Sequence, residues 1–216
     1  WGVESRFTVR DSGLEPSKSG LIGLICAAMG RPRQAALEDL AALRMGVRVD
    51  REGTLRSDFQ IAQRVLSSAG KGVKSSVTST RYYLSDAAFL VGLEGANLSQ
   101  LEQIQQALKQ PVWAIFLGRK AFVPSAPVWL KNGLREGESL EAALQAYAWI
   151  YPWAPAKAPT EVRVVIEDPH GEQTRPDVPI SFAERRFSSR RVRTILQPAP
   201  ATILQEVSDA PIQTDA

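Results

Sequence analysis

One histidine and one cysteine in 216 residues remove whole classes of chemistry at the outset. His170 stands alone between Pro169 and Gly171, so one chain offers neither a two-histidine acid–base pair nor a metal cluster built on histidine and cysteine. Cys26 lies in the apolar run from Leu21 to Ala27 and reads as core filler rather than a nucleophile. With no second thiol an internal disulfide is impossible, which fits a reducing cytoplasm. No apolar run approaches the ~20 residues that span a bilayer, and no signal-peptide pattern is present, so no membrane role is expected. Charge of one sign is also scarce: 26 Lys and Arg face 23 Asp and Glu, for a net +3. A polyanionic partner must therefore be argued from where the cations sit, not from their sum. The sequence opens on Trp1-Gly2 rather than methionine, and a preceding segment is expected.

What is present is enough for one substantial core with a small satellite. Pro16 and the serines at 17 and 19 mark a helix start, and the run to Met29 is apolar on nearly all sides, as in a buried helix. Gly30, Arg31 and Pro32 end it. A second helix is expected over Gln34–Leu43, then a half-covered strand over Met45–Asp50. Residues 57–80 are polar, glycine-punctuated and basic, and read as a protruding excursion, either a long hairpin or a mobile loop. Ala87–Leu93 reads as a central strand. Asn97 caps a helix with one apolar stripe, Leu98, Leu101, Ile104 and Leu108, and Val112–Leu117 reads as another strand. Beyond a proline-broken loop come a helix near Ser139–Trp149, a strand over Glu161–Asp168, a turn at 169–171 and a basic strand within Arg185–Leu196. The tail from Gln197 has no periodicity and is expected to be loosely held. With one more strand ahead of Trp1, the order becomes β-α-β-β-α-β, a ferredoxin-like arrangement common among RNA-binding modules.

The most informative stretch is Gly13-Leu14-Glu15-Pro16-Ser17-Lys18-Ser19-Gly20. It resembles a P-loop but fails it: Ser17 occupies the position of the glycine before the lysine, and the spacing from Gly13 is one residue short. A helix start still exposes unpaired N–H groups and the positive end of its dipole. Ser17, Lys18 and Ser19 add hydroxyls and a cation, which suits one backbone phosphate. A capped helix with a solvated lysine explains the same residues equally well.

Trp1-Gly2, Ser5-Arg6-Phe7 and Pro16–Leu24 together resemble the opening of the CasD family, the guide-RNA-holding RAMP subunit of type I-E CRISPR Cascade. Arg81–Phe89, Leu117-Gly118-Arg119-Lys120 with Pro124, and Arg186–Arg190 resemble later segments of that family in order, so the likeness covers about residues 1–196. Family members begin with an apolar strand that runs into the Trp-Gly pair, and here that strand is missing from the sequence. The resemblance implies an α+β fold: a ferredoxin-like (RRM-like) core over 1–120 with a thumb at 57–80, a helix and β-rich extension over 121–196, and a tail over 197–216. It implies a non-catalytic subunit that binds the five-prime handle of CRISPR RNA and caps the filament of CasC backbone subunits. Its neighbours would include the large subunit CasA, its contact with target DNA would be indirect, and its role would be antiviral defence within a cytoplasmic ribonucleoprotein. No cofactor or metal is implied.

Ser17, Lys18 and Ser19 would then meet handle phosphates, with Arg6, Arg10, Arg31, Arg81, Arg119 and Lys120 supplying further charge. Tyr82 and Tyr83 face opposite ways on a strand, so one is expected in the core while Tyr83 could stack on a base. Arg185, Arg186, Arg190, Arg191 and Arg193 read either as an RNA-facing stripe or as a solvated face. Trp113, Trp129, Trp149 and Trp153 read as core or interface anchors. The competing reading is a metal-independent ribonuclease acting on repeat RNA, for which a Tyr83–Lys18 pair is a candidate and His170 a weak one. A generic single-strand-binding module is the third.

Overall fold

The structure, a computed structural model, describes residues 1–2, 9–67, 70, 72–150 and 159–200. Its strands form two sheets. The larger has five strands in the order β5 (Ala88–Glu94), β2 (Arg44–Arg51), β6 (Glu161–Glu167), β8 (Arg186–Pro198), β7 (Gln173–Ser181), each pair antiparallel. β6 is the middle strand, and Val162, Val164, Val165 and Ile166 are buried along it. Because β2 and β6 share a ladder at 46–49, the extension after residue 120 completes the same sheet as the N-terminal part.

α1 (Lys18–Met29) begins and ends where the sequence places it. Ser17 Oγ accepts the Gly20 amide at 3.2 Å, and Gly30 closes the helix at φ 69°, a left-handed turn that its missing Cβ allows. Ile22, Ile25 and Cys26 pack with Leu37, Leu40 and Leu43 and with Ile104 of α3 (Leu98–Lys109). A second cluster gathers Leu140 and Leu144 of α4 (Leu140–Ala146) with Leu90, Trp149 and the inward residues of β6.

Several expectations require correction. The helix over Gln34–Leu43 shrinks to α2, Glu38–Ala41, because Ala35 turns back to the Pro32 carbonyl and Leu37 takes a non-helical φ of −123°. The helix near Ser139–Trp149 stops at Ala146. The Leu144, Tyr147 and Ala148 carbonyls are captured by the Arg48 guanidinium rather than by helix amides. β5 is not central: it pairs only with β2 and forms an edge of the described sheet. Val112–Leu117 forms no strand. The Val112 and Trp113 amides donate instead to Ala28 and Ala27 at the end of α1, at 2.9 and 3.2 Å. Gln197 and Pro198, assigned to a loose tail, pair with Val162 and Glu161 as the end of β8; residues 201–216 lie outside the described residues.

The excursion is a long hairpin rather than a loop. β3 (Thr54–Leu66) and β4 (Val73–Ser85) pair along their whole lengths, and β1 (Val9–Arg10) adds a short parallel strand on the other side of β4. The arm stands out from the larger sheet, and nearly all of β3 is solvent-exposed.

Candidate nucleic-acid interface

Register decides which cations meet. Arg10 pairs with Arg81 across β1 and β4, and Arg81 pairs with Asp58 across β4 and β3, so the three side chains lie in one row on one face of the arm. Two residues further along the same face stand Tyr83 and Arg56, register partners. Against this face packs the loop 117–122, closed by Leu117 N–H to the Phe122 carbonyl at 2.7 Å and Phe122 N–H to the Arg119 carbonyl at 2.9 Å. Gly118 permits the closure at φ 80°.

Arg119 fixes the loop to the arm. Its Nη1 donates to the Tyr82 carbonyl at 3.0 Å and its Nη2 to the Arg10 carbonyl at 3.5 Å, while its guanidinium lies 5.7 Å from the Phe122 ring centroid. Phe122 in turn stacks on Tyr83, with centroids 5.0 Å apart and planes 28° from parallel. The result is a cleft of about 340 Å³ lined by Ser57, Asp58, Gln60, Arg81, Tyr83, Arg119, Lys120, Ala121 and Phe122. Desolvation, followed by the positive charges of Arg81 and Arg10, holds the Arg119 guanidinium below its ordinary pKa. It stays charged, in a field that favours an anion. The Arg81 Nε–H is buried with no hydrogen-bond partner among the described residues.

Arg10, Arg81, Tyr83, Arg119 and Lys120 are therefore brought together as one group. The helix-start residues are not part of it. Lys18 is 1% exposed, and its ammonium is spent on Glu167 at 3.1 and 2.9 Å. The backbone N–H of Lys18 donates to Asp177 at 2.8 Å, and Arg190 clasps the same carboxylate at 2.7 and 3.0 Å. The anion expected at this helix start is thus supplied by the protein's own Asp177, and Lys18 is withdrawn as a phosphate ligand. Ser17 is occupied as the cap, and Ser19 Oγ lies 3.5 Å from Ser17 Oγ. Arg31 grips Asp39 through two bonds of 2.8 and 2.5 Å, which leaves its charge locally neutralised. Arg6 and Trp153 lie outside the described residues.

The C-terminal arginines are mostly structural. Arg190 pairs with Asp177, Arg191 holds the Gly171 carbonyl at 2.7 Å, Arg193 meets Glu141, and Arg186 meets Glu184. Trp149 is core, whereas Trp113 is 48% exposed and Trp129 lies under the Lys109 ammonium at 5.2 Å. His170 sits in an exposed turn, its N–H bonded to Asp168. Tyr83 is committed to Phe122, and with Lys18 tied to Glu167 the Tyr83–Lys18 pair loses its cation. The sequence reading missed Arg56, Asp58, Gln60 and Phe122. Alternation of polar residues along 54–60 was the available signal, but pairing partners were needed to use it.

The comparisons agree on where such a chain belongs. The family described as CRISPR-associated protein (Cas_Cas5) matches residues 1–193. This chain belongs to that family. It is also similar to a solved chain described as "Crystal structure of Cas protein", at 42% identity and a TM-score of 0.74, covering 93% of this chain and 91% of that one. A chain of a "CRISPR RNA-guided surveillance complex" is 32% identical with a TM-score of 0.77, covering 93% of this chain and 86% of that one. No curated protein matches. Among the described residues no helix is long and apolar enough to cross a membrane.

Proposed function

We propose that this Cas_Cas5 family chain is a non-catalytic, RNA-holding subunit of a type I-E CRISPR surveillance complex, working in the cytoplasm. Its ferredoxin-like RAMP core presents the β3–β4 hairpin as the thumb, and the cleft at the hairpin's base grips the five-prime handle of the CRISPR RNA. CasC and CasA are its protein neighbours, and target DNA is met only through the guide. The observation that carries this reading is the meeting of Arg81, Arg119 and Lys120 around one cleft, with Arg10 beside them and an aromatic wall. Single-stranded nucleic acid is recognised by this combination of backbone cations and aromatic faces. Membership of the likened chain in an RNA-guided surveillance complex supports the same assignment.

Of the cations lining the cleft, Lys120 is the exposed one and makes no hydrogen bond or ion pair among the described residues, so it isolates the electrostatic contribution. Lys120→Ala should weaken binding of handle RNA and reduce the slope of log K against log salt by about 0.7, one single-strand phosphate contact. An unchanged slope would remove the cleft from the interface. Repeat RNA incubated with the chain and a chelator should stay intact; one discrete cut would favour the ribonuclease reading.

A further inference from the structure

A cleft that only held phosphates would have no use for a carboxylate, which repels the backbone it is meant to hold. Asp58 nevertheless lines this one, in the same row as Arg81 and Arg10. None of the ion pairs among the described residues includes it. Its Oδ2 accepts from Gln60 Nε2 at 2.6 Å, which sets the carboxylate's orientation and leaves acceptor sites on both oxygens for a ligand. Gln60 lines the cleft beside it and brings a carbonyl oxygen, a second acceptor. On the same walls, Tyr83 and Phe122 present stacked aromatic rings, and the volume of about 340 Å³ accommodates a nucleobase.

Acceptors next to aromatic surface recognise a base through its N–H groups. Among the four RNA bases only guanine places two adjacent donors, N1–H and the N2 amino group, on one edge where a carboxylate can take both. Adenine and cytosine offer one amino group beside a ring acceptor, which a carboxylate repels, and uracil offers a single N3–H between two carbonyls. We infer that the cleft is a base-reading pocket selective for guanine, in which Asp58 is the specificity-determining residue and Gln60 positions it. This rests on the proposed RNA interface and adds to it: Arg10, Arg81, Arg119 and Lys120 hold the strand, and Asp58 chooses the base.

The test measures binding of the full chain to an oligouridine and to the same strand carrying one guanine, scanned along its length, at several salt concentrations. One position should bind roughly tenfold tighter with guanine, the scale of a bidentate base contact. Inosine, which keeps N1–H and lacks the amino group, should lose most of that gain. Asp58→Asn should abolish the guanine preference without lowering the salt slope, since no phosphate contact is lost. Guanine preference that survives Asp58→Asn, or base-blind binding with the slope intact, overturns the pocket and leaves the RNA interface standing. Failure to bind any RNA overturns both.

Discussion

Replacing Lys18 by methionine separates a structural lysine from a phosphate-binding one. Its ammonium is nearly sealed, at 2% side-chain exposure, and bonded to both oxygens of Glu167, whose side chain is 22% exposed. Removing one member of a buried pair costs about 3–5 kcal/mol when the other charge is stranded. Glu167 is not wholly stranded, because the Met45 amide still donates to it at 3.2 Å and Arg190 lies 3.6 Å away. Methionine also keeps most of the apolar stem. These offsets bring the expected loss to about 2–3 kcal/mol. For a chain of this size each kcal/mol lowers Tm by about 2–4 °C, so a fall of roughly 4–12 °C follows. Differential scanning calorimetry reads that shift, and titration of handle RNA at several salt concentrations reads the interface. Below the variant's Tm, the salt slope should match that of the parent. A variant with unchanged Tm, weaker RNA binding and a slope reduced by about 0.7 would place Lys18 on a phosphate and refute the assignment of its charge to Glu167.

Two further perturbations test what fixes the sheet. Arg48, fully buried, holds Asp50 at 2.6 and 2.9 Å and three carbonyls at the end of α4. Arg48→Met should cost about 3–5 kcal/mol in urea unfolding. The double change with Asp50→Leu should recover little, because the three carbonyls stay unpaired; full recovery would show that only the ion pair mattered. Glu141 tests acid stability. Its hydrogen bond from Arg44 lowers its pKa from 4.5 to about 2. A depressed folded pKa stabilises the fold above the unfolded value and ceases to do so as pH falls through the folded one. Unfolding free energy should therefore decline between about pH 4.5 and 2, and Glu141→Gln should flatten that part of the profile. An identical pH profile for the two proteins would remove Glu141 from the acid response.

Local signals in the chain carry much of the fold. Asn97 caps the helix the sequence assigns to it, and Ser17 and Ser139 cap helices whose starts the sequence puts at those positions, because a cap needs only the residue and the next three amides. The β3–β4 hairpin was legible as an excursion but not as a ladder, since serine and threonine runs suit either. The errors share a cause. A strand is defined by its neighbours, so Val112–Leu117 could look like one while its first amides cap α1, and β5 could look central while holding a single partner. Lys18 was misread for a related reason. A helix start attracts an anion, and sequence gives no means of knowing that Asp177, 159 residues away, already fills the place.

The cleft shows why the interface was half legible. Arg119, Lys120, Arg81 and Tyr83 could be nominated one by one, but their convergence depends on the parallel pairing of β1 with β4 and on a loop closed at Gly118. That geometry also explains why the cations stay available. Several arginines that the fold uses for itself face carboxylates: Arg44 with Glu94 and Glu141, Arg163 with Glu15 and Glu52, Arg190 with Asp177. Arg119 bonds to carbonyls instead, and its pKa is depressed first by desolvation and then by the charges of Arg81 and Arg10. Like charges held together with only partial compensation from Asp58 raise the free energy of the unliganded state, and a phosphate strand relieves it. The near-zero net charge of the chain therefore says little about its partner, because it averages ion pairs within the fold with a cleft where several cations converge.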